Sequence, residues 1–467
     1  MKGRKQKISQ DTCLQKDRAE PEVYAGGQTF MWITENNLTS FEQTGYGMLE
    51  YILSPANLNA AYKRVKQNKG AGGVDEMEVE SLKDYLIEQK DALIATILDG
   101  RYRPNPVRRV EIPKGDGKNR QLGIPTVVDR VIQQAIAQVL SAVYEKQFSS
   151  HSYGFRPKRS AHQALQQCQQ YITDGYTYAV DMDLEKFFDT VNQSKLVEVL
   201  CRTIKDRRVI SLIHKYLKSG VVVANKYEST IAGVPQGGPL SPLLSNIMLN
   251  ELDKELESRG HRFARYADDV IVLCKSKRSA ARTMENLVSY IEKKLFLKVN
   301  REKSTVAYIT KVKFLGYSFY TKKGEGRLRI HLKSVARMRL RIKEITSRSN
   351  GWGDLRRKEK LSQFIRGWVN YFKLADMRSL LIETDEWYRR RLRMVLWKQW
   401  KRISTKQANL MKLGVNKHKA WEYANTRKSY WHIANSWILS KTVTNERLRK
   451  AGYVFLTDCY LDARKLI

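Results

Sequence analysis

Cysteine is scarce in this chain and poorly placed for a structural role. Cys13, Cys168, Cys201, Cys274 and Cys459 are odd in number, scattered, and nowhere form a Cys-x-x-Cys pair. That argues against a disulfide framework and a structural zinc site, and it points to a reducing compartment. Histidine clusters are missing too. No run approaches the ~20 consecutive apolar residues needed to span a bilayer. The N-terminal Met1-Lys2-Gly3-Arg4-Lys5 leads into polar residues rather than an apolar signal core. A soluble, cytoplasmic protein without a membrane partner is therefore expected. There is no internal repeat and no low-complexity tract. Acidic residues are outnumbered, 48 Asp and Glu against 84 Lys and Arg, for a net charge of +36. Charge on that scale resists compaction unless a polyanion neutralises it, and it speeds encounter with one. Nucleic acid is the first candidate. An anionic membrane ranks second, because no lipid-directed helix appears.

The 467 residues suggest two to four folding units, and the 42% hydrophobic and 10% aromatic content fits a folded protein. Residues 1–45 carry Pro21, Gly26-Gly27 and mixed charge without lasting periodicity, and read as a poorly ordered extension. Helical patterning starts near Met48 and includes Leu58, Ala61, Tyr62 and Val65. Val107 to Pro113, a turn at Gly115-Asp116-Gly117 and a return from Arg120 to Ile124 predict a hairpin. Ile132, Ala135, Ile136, Val139, Leu140 and Val143 then follow the spacing of an amphipathic helix. Thr177 to Asp183 reads as a buried strand, Phe263 to Leu273 as a tight strand-turn-strand, and Phe314 to Tyr320 as a short strand pair. From about Ser334 the chain turns to long, basic, tryptophan-bearing helices. The fold class is α+β, with a domain break expected near residues 325–333.

Asp268 and Asp269 sit side by side between the apolar stretches of Arg265 to Leu273. Paired like charges are costly inside a sheet but reasonable at a hairpin tip, where divalent cations neutralise them. Taken alone, Asp-Asp is equally well explained as ordinary turn chemistry. A partner comes from Tyr178 to Asp189, where Asp181 and Asp183 close an apolar strand. Acidic side chains from two neighbouring strands could hold two Mg²⁺ ions roughly 3.5–4 Å apart, clamping an attacking 3′-oxygen and a leaving pyrophosphate. Hard carboxylate oxygens suit Mg²⁺, with Mn²⁺ as an alternative. Period-2 alternation puts 181 and 183 on one face, so it does not choose between them.

Tyr266-Ala267-Asp268-Asp269 resembles the most characteristic motif of reverse transcriptases. Asp183, with Phe188 five positions on and then Asp189, resembles their first catalytic motif, and Gly233 to Pro242 resembles the loop-helix that supports template and incoming base. By this resemblance the fold is a right-hand polymerase, with fingers and palm built on antiparallel sheet and helices, followed by an α-helical thumb. The catalytic set is then Asp183, Asp268 and Asp269, with Leu184 joining them at the metals. Phe188 is the gate that excludes a ribose 2′-hydroxyl, although composition alone fits Phe187 as well and an ordinary core role for either. Gln236 faces the nucleotide. Arg108, Lys114 and Arg120 resemble triphosphate-holding positions, where fixed positive charge offsets charge on the leaving group; a solvated hairpin face is the alternative. Lys303 resembles the lysine proposed to protonate pyrophosphate.

Asn57 to Val65, Asn68 to Ala71, Gly123 to Arg130 and Ser152 to Pro157 are similar to group II intron enzymes in particular. Glu76 departs from the pattern, which usually has glycine after Gly73-Val74-Asp75. Arg366-Gly367-Trp368-Val369-Asn370-Tyr371-Phe372 resembles the maturase domain X. Downstream, Tyr388, Leu392, Val395, Leu396 and Gln399 make a buried stripe beside crowded cations. Arg366, Arg389, Arg393, Lys398 and Lys401 are the candidate RNA contacts, with Trp397 and Trp400 as stacking rings unless they are core. The expected division is an extension at 1–45, fingers and palm at 46–325, thumb at 326–425 and a basic DNA-binding-like segment at 426–467. After about residue 425 too little chain follows for an RNase H domain, and no endonuclease metal signature appears, so the resemblance is to the bacterial class C type. It implies an RNA-directed DNA polymerase that binds its intron RNA, assists splicing and copies the intron at a DNA target, using dNTPs. Two other roles fit the same residues: an RNA-binding splicing factor without polymerase activity, and an intron-derived enzyme serving host defence or DNA repair.

Overall fold

The computed structural model describes residues 47–113 and 119–465, with only the backbone at Arg120. The 1–45 extension, Lys114 and the 115–117 turn therefore lie outside the described residues. The chain divides into two compact units that part between Leu315 and Gly316.

In the first unit, helix α1 (Pro55–Asn68) begins with proline, whose fixed φ suits a first helical turn. It buries Ala61 and Val65. Asn57 Nδ2 donates to the Ala135 carbonyl at 3.1 Å, tying α1 to a later helix. The predicted hairpin is present as β1 (Val107–Pro113) and β2 (Asn119–Ile124), antiparallel, with Arg108 opposite Ile124 and Ile112 opposite Arg120. Helix α2 (Val127–Glu145) follows, capped by the Thr126 side chain. It buries the expected stripe except half-buried Val143, and it buries Gln133 and Gln134 as well. Helix α3 (Ala161–Thr173) starts in a capping box between Ser160 and Gln163. Strand β3 (Tyr178–Met182) buries Ala179, Val180 and Met182.

Helices α4 (Gln193–Thr203) and α5 (Arg207–Leu217) lead into the short strands β4 (Val221–Val223) and β5 (Lys226–Glu228). β4 runs parallel to β1, which completes a four-stranded sheet in the order β2-β1-β4-β5. Helix α6 (Ser241–Ser258), strands β6 (Arg262–Tyr266) and β7 (Asp269–Cys274), helix α7 (Lys277–Lys294) and β8 (Thr305–Tyr308) close the unit. Its second sheet is antiparallel throughout, ordered β6-β7-β3-β8. Val270 to Cys274 are all buried, the mark of a strand covered on both faces. α7 packs along β3, β7 and β8, and α3 along β6.

The second unit opens with a hairpin, β9 (Tyr317–Lys322) and β10 (Glu325–Ile330), turning at Lys323-Gly324 where both φ angles are positive. The two compact units part at 315/316, whereas a break at 325/326 would cut through β10. Arg327 and Arg329 alternate with buried Leu328 and Ile330, and that dense charge masked the strand. Helices α8 (Leu332–Ile345), α9 (Asp354–Phe372) and α10 (Arg378–Gln399) form the body, and α11 (Leu456–Arg464) docks against α9 and α10. Residues 426–465 thus pack as part of this unit rather than as a separate body beyond 425. Much of the attachment runs through buried Asp385, whose carboxylate accepts from Leu456 N at 3.0 Å and Thr457 N at 2.8 Å. Asp385→Ala would strand one buried and one partly buried amide at a cost of about 2–3 kcal/mol. We expect α11 to become the first segment to exchange amide hydrogens, with little change in residues 178–182 and 269–274.

Candidate active site

β3 and β7 pair with Met182 opposite Val270 and Asp181 opposite Ile271. The same register carried one residue further sets Asp183 across from Asp269. β6 and β7 join at Tyr266 opposite Asp269, which leaves a two-residue turn of Ala267 and Asp268. Ala267 takes φ +57°, a left-handed conformation that lets so short a turn follow the strand twist. The sequence-predicted carboxylates 183, 268 and 269 therefore come together at one end of the sheet.

The chain beyond β3 is held from a second direction. Asp183 N donates to Ser304 Oγ at 3.1 Å, Asn300 N donates to the Asp183 carbonyl at 2.9 Å, and Leu184 bridges to Val299. The Leu184 side chain is buried. This lacing brings Lys303 Nζ to 3.4 Å from Asp183 Oδ2, with the two side chains 65% and 38% exposed. An exposed pair of this kind is worth about 0–1 kcal/mol, so it opens at little cost.

Burial and like charge act together at the site. Burial first, then the neighbouring carboxylates of Asp268, Asp181 and Asp183, push the Asp269 carboxyl up to about 7, with Lys313 opposing. Burial and Asp183 push Asp181 to about 6. Among the described residues no three His, Cys, Asp or Glu side chains stand close enough to hold a metal ion as placed. The donor set is all carboxylate oxygen, which fits a hard divalent cation, and the loose Lys303 contact is what Asp183 would exchange for it.

The raised Asp269 value has a stability consequence. A carboxyl whose folded pKa lies near 7, against an ordinary 3.8, favours the fold most when protonated. That contribution is complete below about pH 4 and is lost as pH rises through about 7. Asp269→Asn removes the ionisation. In EDTA at pH 8 it should be more stable than the unmodified chain by roughly 1–2 kcal/mol, allowing for the partial solvent access of the side chain. The difference should close towards pH 4; thermal melts across that range check it.

Phe187 is buried at 2% exposure while Phe188, which packs against the edge of the core, is half-buried and the more exposed ring of the two. Val234 N donates to the Phe188 carbonyl at 2.6 Å, and a Cβ on Gly233 would lie 2.8 Å from that same oxygen. The 233–240 loop is also pressed onto β2, where Gly123 N donates to the Gln236 carbonyl at 2.6 Å. Half-buried Gln236 thus lies between the β2 edge and the Phe188 turn. Arg108, on β1, keeps its buried Nε without a hydrogen-bond partner. Arg120 is placed by its backbone alone, opposite Ile112.

In the second unit the candidate RNA contacts separate. Arg366, Lys398 and Lys401 are exposed. Arg393 is half-buried and donates to the Val443 carbonyl at 3.0 Å, and Arg389 stacks 5.8 Å from the Phe455 ring. Both are engaged with the C-terminal segment. Trp368 and Trp397 are buried core rather than stacking surfaces. Sequence reasoning missed Trp421 and Trp437, which are exposed, the latter with Lys419 and Lys441 within 5.6 and 4.8 Å of its ring. Their flanking lysines were a legible signal.

Carboxylates gathered at a hairpin tip of an antiparallel sheet, beside a second sheet carrying basic residues, define a polymerase of the reverse transcriptase class. The reverse transcriptase (RNA-dependent DNA polymerase) family model matches residues 112–319, and the group II intron maturase-specific domain model matches residues 335–414. Protein YkfC of Escherichia coli is 32% identical over 61% of this chain and 85% of its own length. The group II intron-encoded protein LtrA of Lactococcus lactis is 30% identical over 61% of this chain, which spans only 58% of that relative. A chain of a partial Cas6-RT-Cas1–Cas2 complex aligns over 53% of this chain and 43% of its own, with 23% identity and a TM-score of 0.35. The chain belongs to the group II intron reverse transcriptase and maturase family. Domains of these two kinds act on RNA and DNA, and reverse transcriptases as a class depend on divalent metal. Among the described residues no helix is long and apolar enough to cross a membrane.

Proposed function

We propose that this protein extends a DNA primer on an RNA template with dNTPs, through two Mg²⁺ ions held by Asp183, Asp268, Asp269 and the backbone at Leu184. The observation that carries this reading is the β3–β7 register, which ends with Met182 opposite Val270 and, continued by one residue, would bring Asp183 level with Asp269 beside the 267–268 turn. When bound, such ions activate the primer 3′-oxygen and offset charge on the leaving pyrophosphate. Asp183 would exchange its contact with Lys303 for a metal ion, and the freed Lys303 ammonium would be a proton source for pyrophosphate. Arg108, with Lys114 and Arg120, anchors the triphosphate, Gln236 supports the base pair, and Phe188 fills the space a 2′-hydroxyl needs.

The maturase-domain match supports a second task for the same protein, binding its intron RNA to promote splicing and target-primed mobility at a DNA site. Arg366, Lys398 and Lys401 are the exposed cations for that surface. The class C assignment belongs to this reading too, with target strand cutting left to the intron RNA.

The test is primer extension on an RNA template, with and without EDTA, beside a splicing assay on the flanking intron. DNA synthesis that stops in EDTA and returns with Mg²⁺ is expected. Synthesis indifferent to chelation, or none with any primer, would overturn the polymerase reading.

A further inference from the structure

Arg265 immediately precedes the Tyr266-Ala267-Asp268-Asp269 turn and is completely buried, with 0% exposure of its side chain and of its partner Asp253. A buried ion pair is weak evidence of stabilisation, because desolvation costs several kcal/mol per ion and apolar side chains of similar volume commonly do as well. What the guanidinium offers is five N–H donors in one fixed plane. Here each has an acceptor. Nε and Nη2 grip Asp253 at 2.7 and 2.5 Å, and Nη2 also reaches Ser152 Oγ at 2.7 Å. Nη1 donates to Asn246 Oδ1 and to the Ala267 carbonyl, both at 2.9 Å.

That last acceptor matters most, because Ala267 is the turn residue held at φ +57°, a conformation that costs a residue bearing a Cβ roughly 1–2 kcal/mol. The turn is pinned from its other side by the 151–154 segment. Tyr153 N donates to the Arg265 carbonyl at 2.8 Å, and Arg265 N donates to the His151 carbonyl at 2.9 Å. A Cβ on Gly154 would come 2.2 Å from Ala267 N, so only glycine admits this approach. Asn246 closes the circuit, since its Nδ2 donates to the Gly154 carbonyl at 2.8 Å while its Oδ1 accepts from Arg265. Asn246 and Asp253 lie two turns apart on one face of α6.

We propose that Arg265 is a positioning residue: with Asn246, Asp253, Ser152 and Gly154 it forms a buried clamp that holds the Ala267 carbonyl, and so sets where Asp268 and Asp269 point. The clamp touches neither nucleotide nor metal. It acts through the turn, and a displacement of about 1 Å at reacting groups is enough to cost on the order of 100-fold in rate. The inference rests on the polymerase reading above.

Asn246→Ala is the discriminating variant, because it cuts the link between Gly154 and Arg265 while leaving the Arg265–Asp253 pair intact. Leu252→Ala, a buried apolar truncation on the same helix, is the control for destabilisation alone. Primer extension is measured well below both melting temperatures, with Mg²⁺ and dNTP each titrated. Asn246→Ala should lose roughly 10- to 100-fold in kcat with KM for dNTP changed less than about threefold. It should also need more Mg²⁺ for half-maximal rate, and Leu252→Ala should keep near-normal values of all three. Arg265→Lys, which keeps the charge on Asp253 but not the fork, should copy the Asn246→Ala pattern. Losses in Asn246→Ala no greater than in Leu252→Ala, or an unchanged Mg²⁺ requirement, would overturn the clamp. An unmodified chain that extends no primer would instead overturn the polymerase reading on which it stands.

Discussion

Asp183→Asn should reduce RNA-templated DNA synthesis by roughly 10³-fold or more while leaving the protein folded and able to bind RNA. The side chain is 38% exposed and follows the end of β3, so an isosteric amide disturbs no core. Its ion pair with Lys303 is exposed on both sides and contributes at most about 1 kcal/mol. What the amide removes is one anionic oxygen from the proposed donor set, just beyond the Met182–Val270 pair that ends the β3–β7 ladder. Asp269→Asn should inactivate the enzyme equally but melt higher at pH 8 in EDTA, because it removes a charge that burial, and then the neighbouring carboxylates, penalise enough to raise Asp269 to about 7. One site therefore yields two inactive variants, one near-neutral for stability and one stabilised, as expected where function keeps like charges together. Steady-state extension beside thermal melts reads both. An Asp183→Asn enzyme keeping a tenth of the normal rate would remove Asp183 from the catalytic set.

Phe188→Ala should raise incorporation of ribonucleotides relative to deoxyribonucleotides by on the order of 10- to 100-fold, the range open to discrimination by shape in a pocket. Phe188 is half-buried, its carbonyl bonded to Val234 N, on the turn after Asp183. Its neighbour Phe187 packs inward, with the two ring centroids 5.4 Å apart and nearly perpendicular. Removing the outer ring opens space near the site, whereas Phe187→Ala would hollow the core and cost roughly 3–5 kcal/mol. The readout is the ratio of kcat/KM for matched ribo- and deoxyribonucleotides. An unchanged ratio in a folded Phe188→Ala protein would end the gate assignment.

Much of the site was legible because its signals are local. Short apolar runs announced β3, β6 and β7, and the acidic turn stood out between apolar strands. The hairpin of β1 and β2 was visible from strand composition flanking a Gly-Asp-Gly turn. The strand β10 was missed, because Glu325, Arg327 and Arg329 gave it the charge density of a linker. The thumb cations were legible as charge but not as surface. Nothing in the spacing of Arg389 or Arg393 foretold that residues 443 and 455 would return to cover them.

By itself the amino-acid sequence determined the excess positive charge, the run of strands and helices, and the order of acidic motifs that mark the family. Those depend on composition and on periods of 2 and 3.6 residues, which any contiguous stretch displays. Only the tertiary structure decided which of two adjacent phenylalanines is the more exposed, and which tryptophans are core. It alone revealed that Arg265 is spent on a buried clamp. Each of those outcomes depends on pairing and burial between residues far apart in the chain, and no local period carries that information.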